Sequence, residues 1–104
     1  MTASVPGATI LGGIAGTTLT AAERDFFRSA DPWGFILFGR NVDCPDQLRR
    51  LTGDLRDAVG RDAVITIDQE GGRVQRLRPP HWRDYLPPLD DARRGERAIW
   101  LRHR

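Results

Sequence analysis

Apolar residues in this sequence form three short continuous runs, and the segments between the runs space them every three or four positions. The runs are residues 8–14 (ATILGGI), 34–38 (GFILF) and 63–67 (AVITI). An uninterrupted apolar run rich in β-branched residues is typical of a strand that is covered on both faces. We therefore predict three buried strands at these positions.

A helix is predicted between the first and second strands. Thr20 and Glu23 have the spacing of a capping box, in which a hydroxyl and a carboxylate each accept a hydrogen bond from a backbone N–H of the first turn. Asp31 and Pro32 end the segment, because the residue before proline is disfavoured in the helical conformation. The predicted apolar stripe, which recurs every four residues, consists of Ala22, Phe26 and Ala30.

A second helix is predicted between the second and third strands. Pro45 suits a first helical turn, Asp43 and Cys44 are candidate N-caps, and Gly60 suits the C-terminal end. The predicted apolar face of this helix consists of Leu48, Leu51, Leu55 and Val59.

The remaining residues complete an alternating pattern. Residues 69–90, rich in Pro, Gly and Arg, are predicted to form a loop, and residues 93–104 to begin a helix. Alternating strands and helices imply parallel strands joined by right-handed crossovers. Three strands with two and a half helices cannot cover both faces of a parallel sheet. We therefore expect a section of a larger α/β fold, either a doubly wound sheet or a (β/α)8 barrel.

Composition narrows the classes of protein to which this chain can belong. A chain of 104 residues has room for one small domain, and no apolar stretch approaches the roughly 18 to 20 residues that span a bilayer. Cys44 is the only cysteine, which excludes a disulfide scaffold. Residues 1–15 lack the basic start and the cleavage pattern of a secretion signal, so we expect a cytoplasmic location and no membrane partner.

Charge is unevenly distributed along the chain, and all 16 basic residues are arginine. Residues 1–72 hold 7 arginines and 10 acidic residues, a balance of −3, and residues 73–104 hold 9 arginines and 4 acidic residues, a balance of +5. A basic tail can bind nucleic acid, but no aromatic stacking platform is interleaved with these arginines. We expect no nucleic-acid partner and interpret the arginines of residues 93–104 as a solvated helix face.

The densest polar segment, residues 68–76 (DQEGGRVQR), directly follows the third predicted strand. Ligands of α/β proteins bind at the carboxyl ends of parallel strands. Asp68 can accept hydrogen bonds from adjacent sugar hydroxyls, the arginines are planar donors, and Gly71-Gly72 lets the backbone approach a ligand closely. The segment indicates a polyol or anion site, while the competing interpretation is an acid–arginine loop that pairs internally to hold its shape.

Three motifs stand in a fixed order along the chain: GFILFGRN at residues 34–41, QL at 47–48 and IDQEGGRVQR at 67–76. Together they resemble the start of glycoside hydrolase family 3, in particular its cytoplasmic β-N-acetylhexosaminidases. The resemblance covers the chain from about Ala8. It implies that residues 1–104 are a partial N-terminal section of the family's catalytic barrel, roughly the first three β/α units of a truncated (β/α)8 TIM barrel.

The resemblance implies a retaining hydrolase that removes terminal N-acetylglucosamine from peptidoglycan fragments (muropeptides) during cell-wall recycling, with no metal or organic cofactor. It assigns the binding of sugar hydroxyls in the −1 subsite to Asp68 and further substrate binding to Arg76. The residues expected to shape or support this loop are Glu70, Gly71, Gly72, Arg73, Arg40 and Asn41.

The resemblance also implies that the family's aspartate nucleophile and histidine acid/base come later than residue 104, so this chain alone is expected to be inactive. His81 is expected to be a loop residue, and His103 a terminal surface residue. A section of a barrel should also expose strand edges, and we expect non-specific self-association through them. Two alternatives remain open: a β-glucosidase of the same family, and a non-catalytic saccharide-binding remnant.

Overall fold

The computed structural model describes residues 7–102 and has an α/β fold. The strands are β1 (Ile10–Leu11), β2 (Gly34–Leu37), β3 (Val64–Ile67), β4 (Gln69–Gly71) and β5 (Val74–Gln75). The helices are α1 (Ala21–Ala30), α2 (Pro45–Val59), α3 (Pro88–Arg93) and α4 (Glu96–Arg102). None of these four helices has the length and apolar character needed to cross a membrane. The chain divides into two compact units, Met1–Ile67 and Asp68–Arg104.

Three parallel strands form the sheet of the first unit, in the order β1-β2-β3. The central strand, β2, pairs with β3 from Gly34 opposite Val64 to Leu37 opposite Ile67. Phe35 and Leu37 are almost completely buried. The predictions of a buried strand in this position and of parallel pairing are both confirmed.

The two outer strands are shorter and more exposed than predicted. β1 contains only two residues, and Ile10 in β1 and Val64 in β3 are 44% and 42% exposed. Each of these strands has one neighbour in the described sheet, so its other edge lacks the cover that a central strand receives. The prediction of full burial is therefore wrong for these two strands. Self-association through their edges stays a prediction.

α1 begins with the predicted capping box. The Thr20 hydroxyl accepts a hydrogen bond from Glu23 N at 3.1 Å, and Glu23 Oε1 accepts one from Thr20 N at 2.9 Å. Glu23 Oε2 accepts a third bond from Ala15 N at 2.9 Å, which ties the helix to the segment after β1. Burial acts to raise the pKa of Glu23, but these hydrogen bonds outweigh it and hold the pKa below its ordinary value.

We expect Glu23→Gln to lower the free energy of unfolding by about 1 kcal/mol at neutral pH, the size of a typical capping contribution. Because the folded-state pKa of Glu23 is lowered, its contribution is present above the unfolded-state pKa and is lost as the pH falls through the folded-state pKa. The two proteins should therefore converge in stability in acid. Urea unfolding at neutral and acidic pH checks this, with the exposed Asp25→Asn as control; a difference that is constant with pH would contradict it.

α1 buries a different face from the predicted one. Ala22, Phe26 and Ala30 are all exposed, whereas Phe27 is 3% exposed and packs edge-to-face on Phe35 with ring centroids 5.1 Å apart. Phe26 and Phe27 lie about 100° apart around the helix, so only one ring can face the sheet. The predicted stripe is wrong because two of its three members are alanines, whose burial contributes little.

α2 agrees with its prediction. Cys44 occupies the N-cap position, although its side chain makes no capping hydrogen bond, and Gly60 ends the helix at a φ of 71°. Leu51 and Leu55 are buried, with Leu48 and Val59 packed against them at the border of the core. The buried core of this unit consists of Ile14, Phe27, Phe35, Leu37, Leu51, Leu55 and Ala63.

The second unit contains more regular structure than predicted. Residues 69–90, predicted as a loop, contain the antiparallel hairpin β4–β5 and the beginning of α3. The helix predicted at 93–104 begins at Glu96, and Gly95, at a φ of 99°, separates α4 from α3. The loop prediction is wrong because strands of two or three residues carry too little periodicity to reveal themselves. His103 lies outside the described residues.

Candidate functional site

The structure brings the two predicted sugar-binding residues together. Arg76 Nη2 lies 3.8 Å from Asp68 Oδ2, and the backbone N–H of Arg76 donates to the Asp68 carbonyl at 3.3 Å. The side chains of Asp68 and Arg76 are 45% and 30% exposed, so both are accessible to a ligand. Acceptor oxygens beside a planar set of donors match what neighbouring sugar hydroxyls need, since each hydroxyl both donates and accepts.

The hairpin β4–β5 sets the separation of these two residues. Its base is closed by Gln69, whose Oε1 accepts hydrogen bonds from the backbone N–H groups of Arg76 and Leu77 at 3.2 and 3.0 Å. Gln69 Nε2 donates to the Leu77 carbonyl at 2.8 Å. Asp68 and Arg76, which stand immediately before and after the hairpin, are therefore held at its base.

Gly71 and Gly72 are required by the turn of the hairpin. Both have positive φ, 94° and 62°, a region that side chains disfavour. A Cβ atom at Gly71 would overlap the carbonyl oxygen of Leu86, and one at Gly72 would lie 2.6 Å from Cγ of Pro87. The two glycines thus let residues 86–87 pack directly against the hairpin, which gives a physical basis to the loop-shaping role expected for them.

Gln75 is a structural residue that the sequence analysis did not single out. It is 1% exposed, and its Oε1 accepts a hydrogen bond from Tyr85 N at 3.0 Å. Its Nε2 donates to the carbonyls of Leu77 and Arg83 at 2.9 and 2.8 Å. Polarity alone predicts an exposed glutamine, so the burial of Gln75 does not follow from its residue type. The one indication in the sequence of a structural role is its place beside Arg76 inside the motif.

Asp91 and Arg102 were also outside the sequence prediction. Arg102 Nη1 lies 2.7 Å from Asp91 Oδ2, and both side chains are 9% exposed. The interpretation of the arginines in residues 93–104 as a solvated helix face is therefore wrong for Arg102. Nothing in the sequence identifies its partner, because Asp91 belongs to a different helix.

Arg40 and Asn41, expected to support the Asp68 loop, lie in the first unit and contact the segment after β1. Asn41 is completely buried, and its Nδ2 donates to the carbonyls of Ile14 and Gly16, both at 2.8 Å. Its Oδ1 accepts from Phe38 N at 2.9 Å, and Arg40 Nε donates to Ile14 O at 2.9 Å. These contacts tie the carboxyl ends of β1 and β2 together, and support of Asp68 stays a prediction.

The other predicted residues of this segment lie at the surface. Glu70 and Arg73 are exposed on the hairpin, so their loop-shaping role stays a prediction. His81 is exposed and packs edge-to-face on Trp82, with ring centroids 5.8 Å apart, as expected for a loop residue. Among residues 7–102, no three His, Cys, Asp or Glu side chains lie together as a metal site requires.

Comparison with known proteins shows that the chain is similar to β-hexosaminidases. No family model matches the chain. A β-hexosaminidase of Stenotrophomonas maltophilia is 45% identical over 82 residues, and one of Pseudomonas aeruginosa is 48% identical over 65 residues. These matches cover 79% and 62% of this chain and 24% and 19% of the relatives. The chain thus spans about a quarter of the length of the relatives it matches.

A solved structure gives the same result. NagZ from Neisseria gonorrhoeae in complex with N-trifluoroacetyl-D-glucosamine is 32% identical, with a TM-score of 0.63 over 73% of this chain and 22% of that chain. The sequence and the fold of this chain are therefore similar to the N-terminal part of a glycoside hydrolase family 3 β-N-acetylhexosaminidase.

Proposed function

We propose that this chain is a section of the catalytic barrel of a retaining β-N-acetylhexosaminidase of glycoside hydrolase family 3, and that it supplies part of the sugar-binding site. The observation that carries this proposal is that Arg76 lies 3.8 Å from Asp68, the residue that follows β3 along the chain. The supporting relatives are β-hexosaminidases, and the solved NagZ structure holds an N-acylated glucosamine.

The arrangement of the first unit supports a (β/α)8 barrel. Its three strands are parallel and neighbour one another in chain order. The connecting helices α1 and α2 pack together, with Arg24 and Asp54 3.9 Å apart across them. Strands in sequence with a continuous layer of helices are the elements from which a barrel is built, and barrel enzymes place their sites at the carboxyl ends of the strands.

In the proposed mechanism this chain binds and orients the sugar. Asp68 accepts hydrogen bonds from ring hydroxyls, and Arg76 orients that carboxylate and donates to the substrate. Retaining hydrolysis further requires a carboxylate nucleophile and a general acid, and the family resemblance places neither among these 104 residues. The proposed substrates are muropeptides or related saccharides with terminal N-acetylglucosamine, in the cytoplasm.

The test is a chimera in which residues 8–102 replace the matching N-terminal segment of the N. gonorrhoeae NagZ. We expect the folded chimera to hydrolyse a chromogenic N-acetyl-β-glucosaminide well above the corresponding β-glucoside, because the inserted segment would rebuild the sugar site. The 104-residue chain alone should show no turnover. Initial rates on both substrates provide the measurement, with unmodified NagZ as control.

Three outcomes would contradict the proposal. A chimera that folds, by circular dichroism and a cooperative melt, but is inactive would show that the segment does not form the sugar site. A preference for the β-glucoside would favour the β-glucosidase alternative. Clear turnover by the purified 104-residue chain would place the complete catalytic machinery within it.

A further inference from the structure

The most deeply buried side chains among residues 68–102 are polar. Within residues 7–102, the buried apolar side chains lie between Ile14 and Ala63, all in the first unit. Among residues 68–102, the buried residues are Gly71, Gln75 and Asp91. Where no apolar side chain is fully buried, the shape of a segment depends strongly on its specific hydrogen bonds. The geometry of Asp68 and Arg76 therefore depends on a small number of polar side chains.

Asp91 and Arg102 form the most enclosed ion pair of this unit. Besides its 2.7 Å contact with Asp91, Arg102 Nη1 donates to the carbonyl of Leu86. The guanidinium carbon of Arg102 lies 5.6 Å from the centre of the Tyr85 ring, over its face. Asp91 also accepts from Arg94, at 3.4 Å. One arginine on α4 thus contacts both residues of the Tyr85–Leu86 segment and is itself oriented by a carboxylate on α3.

The Tyr85–Leu86 segment is in turn the support of the hairpin. The Tyr85 carbonyl accepts a hydrogen bond from Gly72 N at 3.0 Å, and Tyr85 N donates to Gln75 Oε1 at 3.0 Å. The Leu86 carbonyl packs directly on Gly71. A continuous series of contacts therefore leads from Arg102 through Tyr85 and Leu86 to the hairpin that holds Asp68 and Arg76 at its base.

We propose that Asp91 and Arg102 are positioning residues that fix the sugar-binding pair through the Tyr85–Leu86 segment. This inference rests on the proposed role of Asp68 and Arg76 in binding the sugar. Removing the charge of Arg102 leaves Asp91 with only the longer 3.4 Å contact to Arg94, and removing the charge of Asp91 leaves Arg102 buried without its carboxylate partner. Either change favours opening of the segment. The hairpin then loses the backbone partner of Gly72, and the spacing of Asp68 and Arg76 is no longer fixed.

Hydrogen exchange on the 104-residue chain tests the structural part of this inference. In Arg102→Leu, the amides of Gly72 and Tyr85 should exchange at least about tenfold faster than in the wild type, while the amides of β2 keep their rates. Arg97→Leu, an exposed position on the same helix, is the matched control. Asp91→Asn, which preserves side-chain volume, should act in the same direction and serves if the leucine variant does not fold.

Titration of the NagZ chimera with N-acetylglucosamine tests the positioning role, monitored at the backbone resonances of Asp68 and Arg76. Arg102→Leu should weaken the sugar response by at least about tenfold, whereas Arg102→Lys should restore it to within about threefold because its ammonium can still pair with Asp91. If Arg102 contributed only to the stability of the fold, the lysine and leucine variants would bind the sugar equally well whenever their β2 amides were equally protected from exchange.

Separate results decide the two proposals. Wild-type exchange rates at Gly72 and Tyr85 in both Arg102→Leu and Asp91→Asn would overturn the positioning role. So would an equal acceleration in β2, which reports global unfolding. A chimera with the unsubstituted segment whose Asp68 and Arg76 resonances do not respond to the sugar would instead argue against the proposed function, and the exchange rates would still decide whether the ion pair fixes the hairpin.

Discussion

Replacement of Asp68 by alanine is expected to lower kcat/KM of the NagZ chimera on an N-acetyl-β-glucosaminide by about 10- to 100-fold. One or two hydrogen bonds from sugar hydroxyls to a carboxylate would be lost, each contributing about 1.5 kcal/mol. Such bonds strengthen as the sugar ring distorts towards the transition state. A substantial part of the loss should therefore appear in kcat rather than only in KM.

Asp84→Ala provides the matched control for this result. Asp84 is an exposed aspartate of the same unit, so the chimera carrying Asp84→Ala should keep nearly full activity. Circular dichroism and thermal unfolding of each variant separate a lost hydrogen bond from a lost fold. Activity of the folded Asp68→Ala chimera within about twofold of the parent would remove Asp68 from the site.

Replacement of Asn41 by alanine should lower the free energy of unfolding by about 3 kcal/mol, more than we expect for Glu23→Gln or Asp43→Ala. The side chain is completely buried and makes three hydrogen bonds, to Ile14 O, Gly16 O and Phe38 N. Breaking a buried hydrogen bond while its partner stays buried costs about 1–3 kcal/mol, and truncation also leaves a cavity. Urea unfolding of the 104-residue chain measures the difference.

Asp43→Ala tests whether the effect is specific to the buried amide. Asp43 is exposed and lies two positions further along the chain, so its replacement should change stability by less than about 0.5 kcal/mol. Asn41→Asp should be destabilising as well, because a carboxylate cannot donate to the carbonyls of Ile14 and Gly16. A loss below about 1 kcal/mol in Asn41→Ala would show that other groups replace these bonds.

Local patterns were sufficient to predict the elements of the first unit. The capping box at Thr20 and Glu23 depends on two residues three positions apart, and it forms as expected. α2 spans four turns with leucines at regular spacing, so its buried face follows from periodicity alone. The central strand is recognisable because a strand that is covered on both faces needs apolar residues at successive positions.

Contacts between distant residues account for what the sequence could not predict. The choice between Phe26 and Phe27 depends on the position of Phe35 in the sheet. The buried state of Arg102 depends on Asp91, which lies on another helix. Internal acid–arginine pairing was one of the two interpretations of residues 68–76, but the sequence could not predict that Asp68 pairs with Arg76, because the short hairpin between them carries no periodic pattern.

The side-chain hydrogen bonds of Gln69 and Gln75 all end on backbone atoms, at Leu77, Arg83, Tyr85 and the N–H of Arg76. A backbone partner is supplied by almost any amino acid, so these bonds place little demand on which side chains occupy those positions. The exposed residues His81 and Asp84, whose side chains make none of these bonds, are consequently suited to randomisation in a library. A selection for new saccharide specificities could vary these exposed residues while Gln69 and Gln75 preserve the geometry of the hairpin.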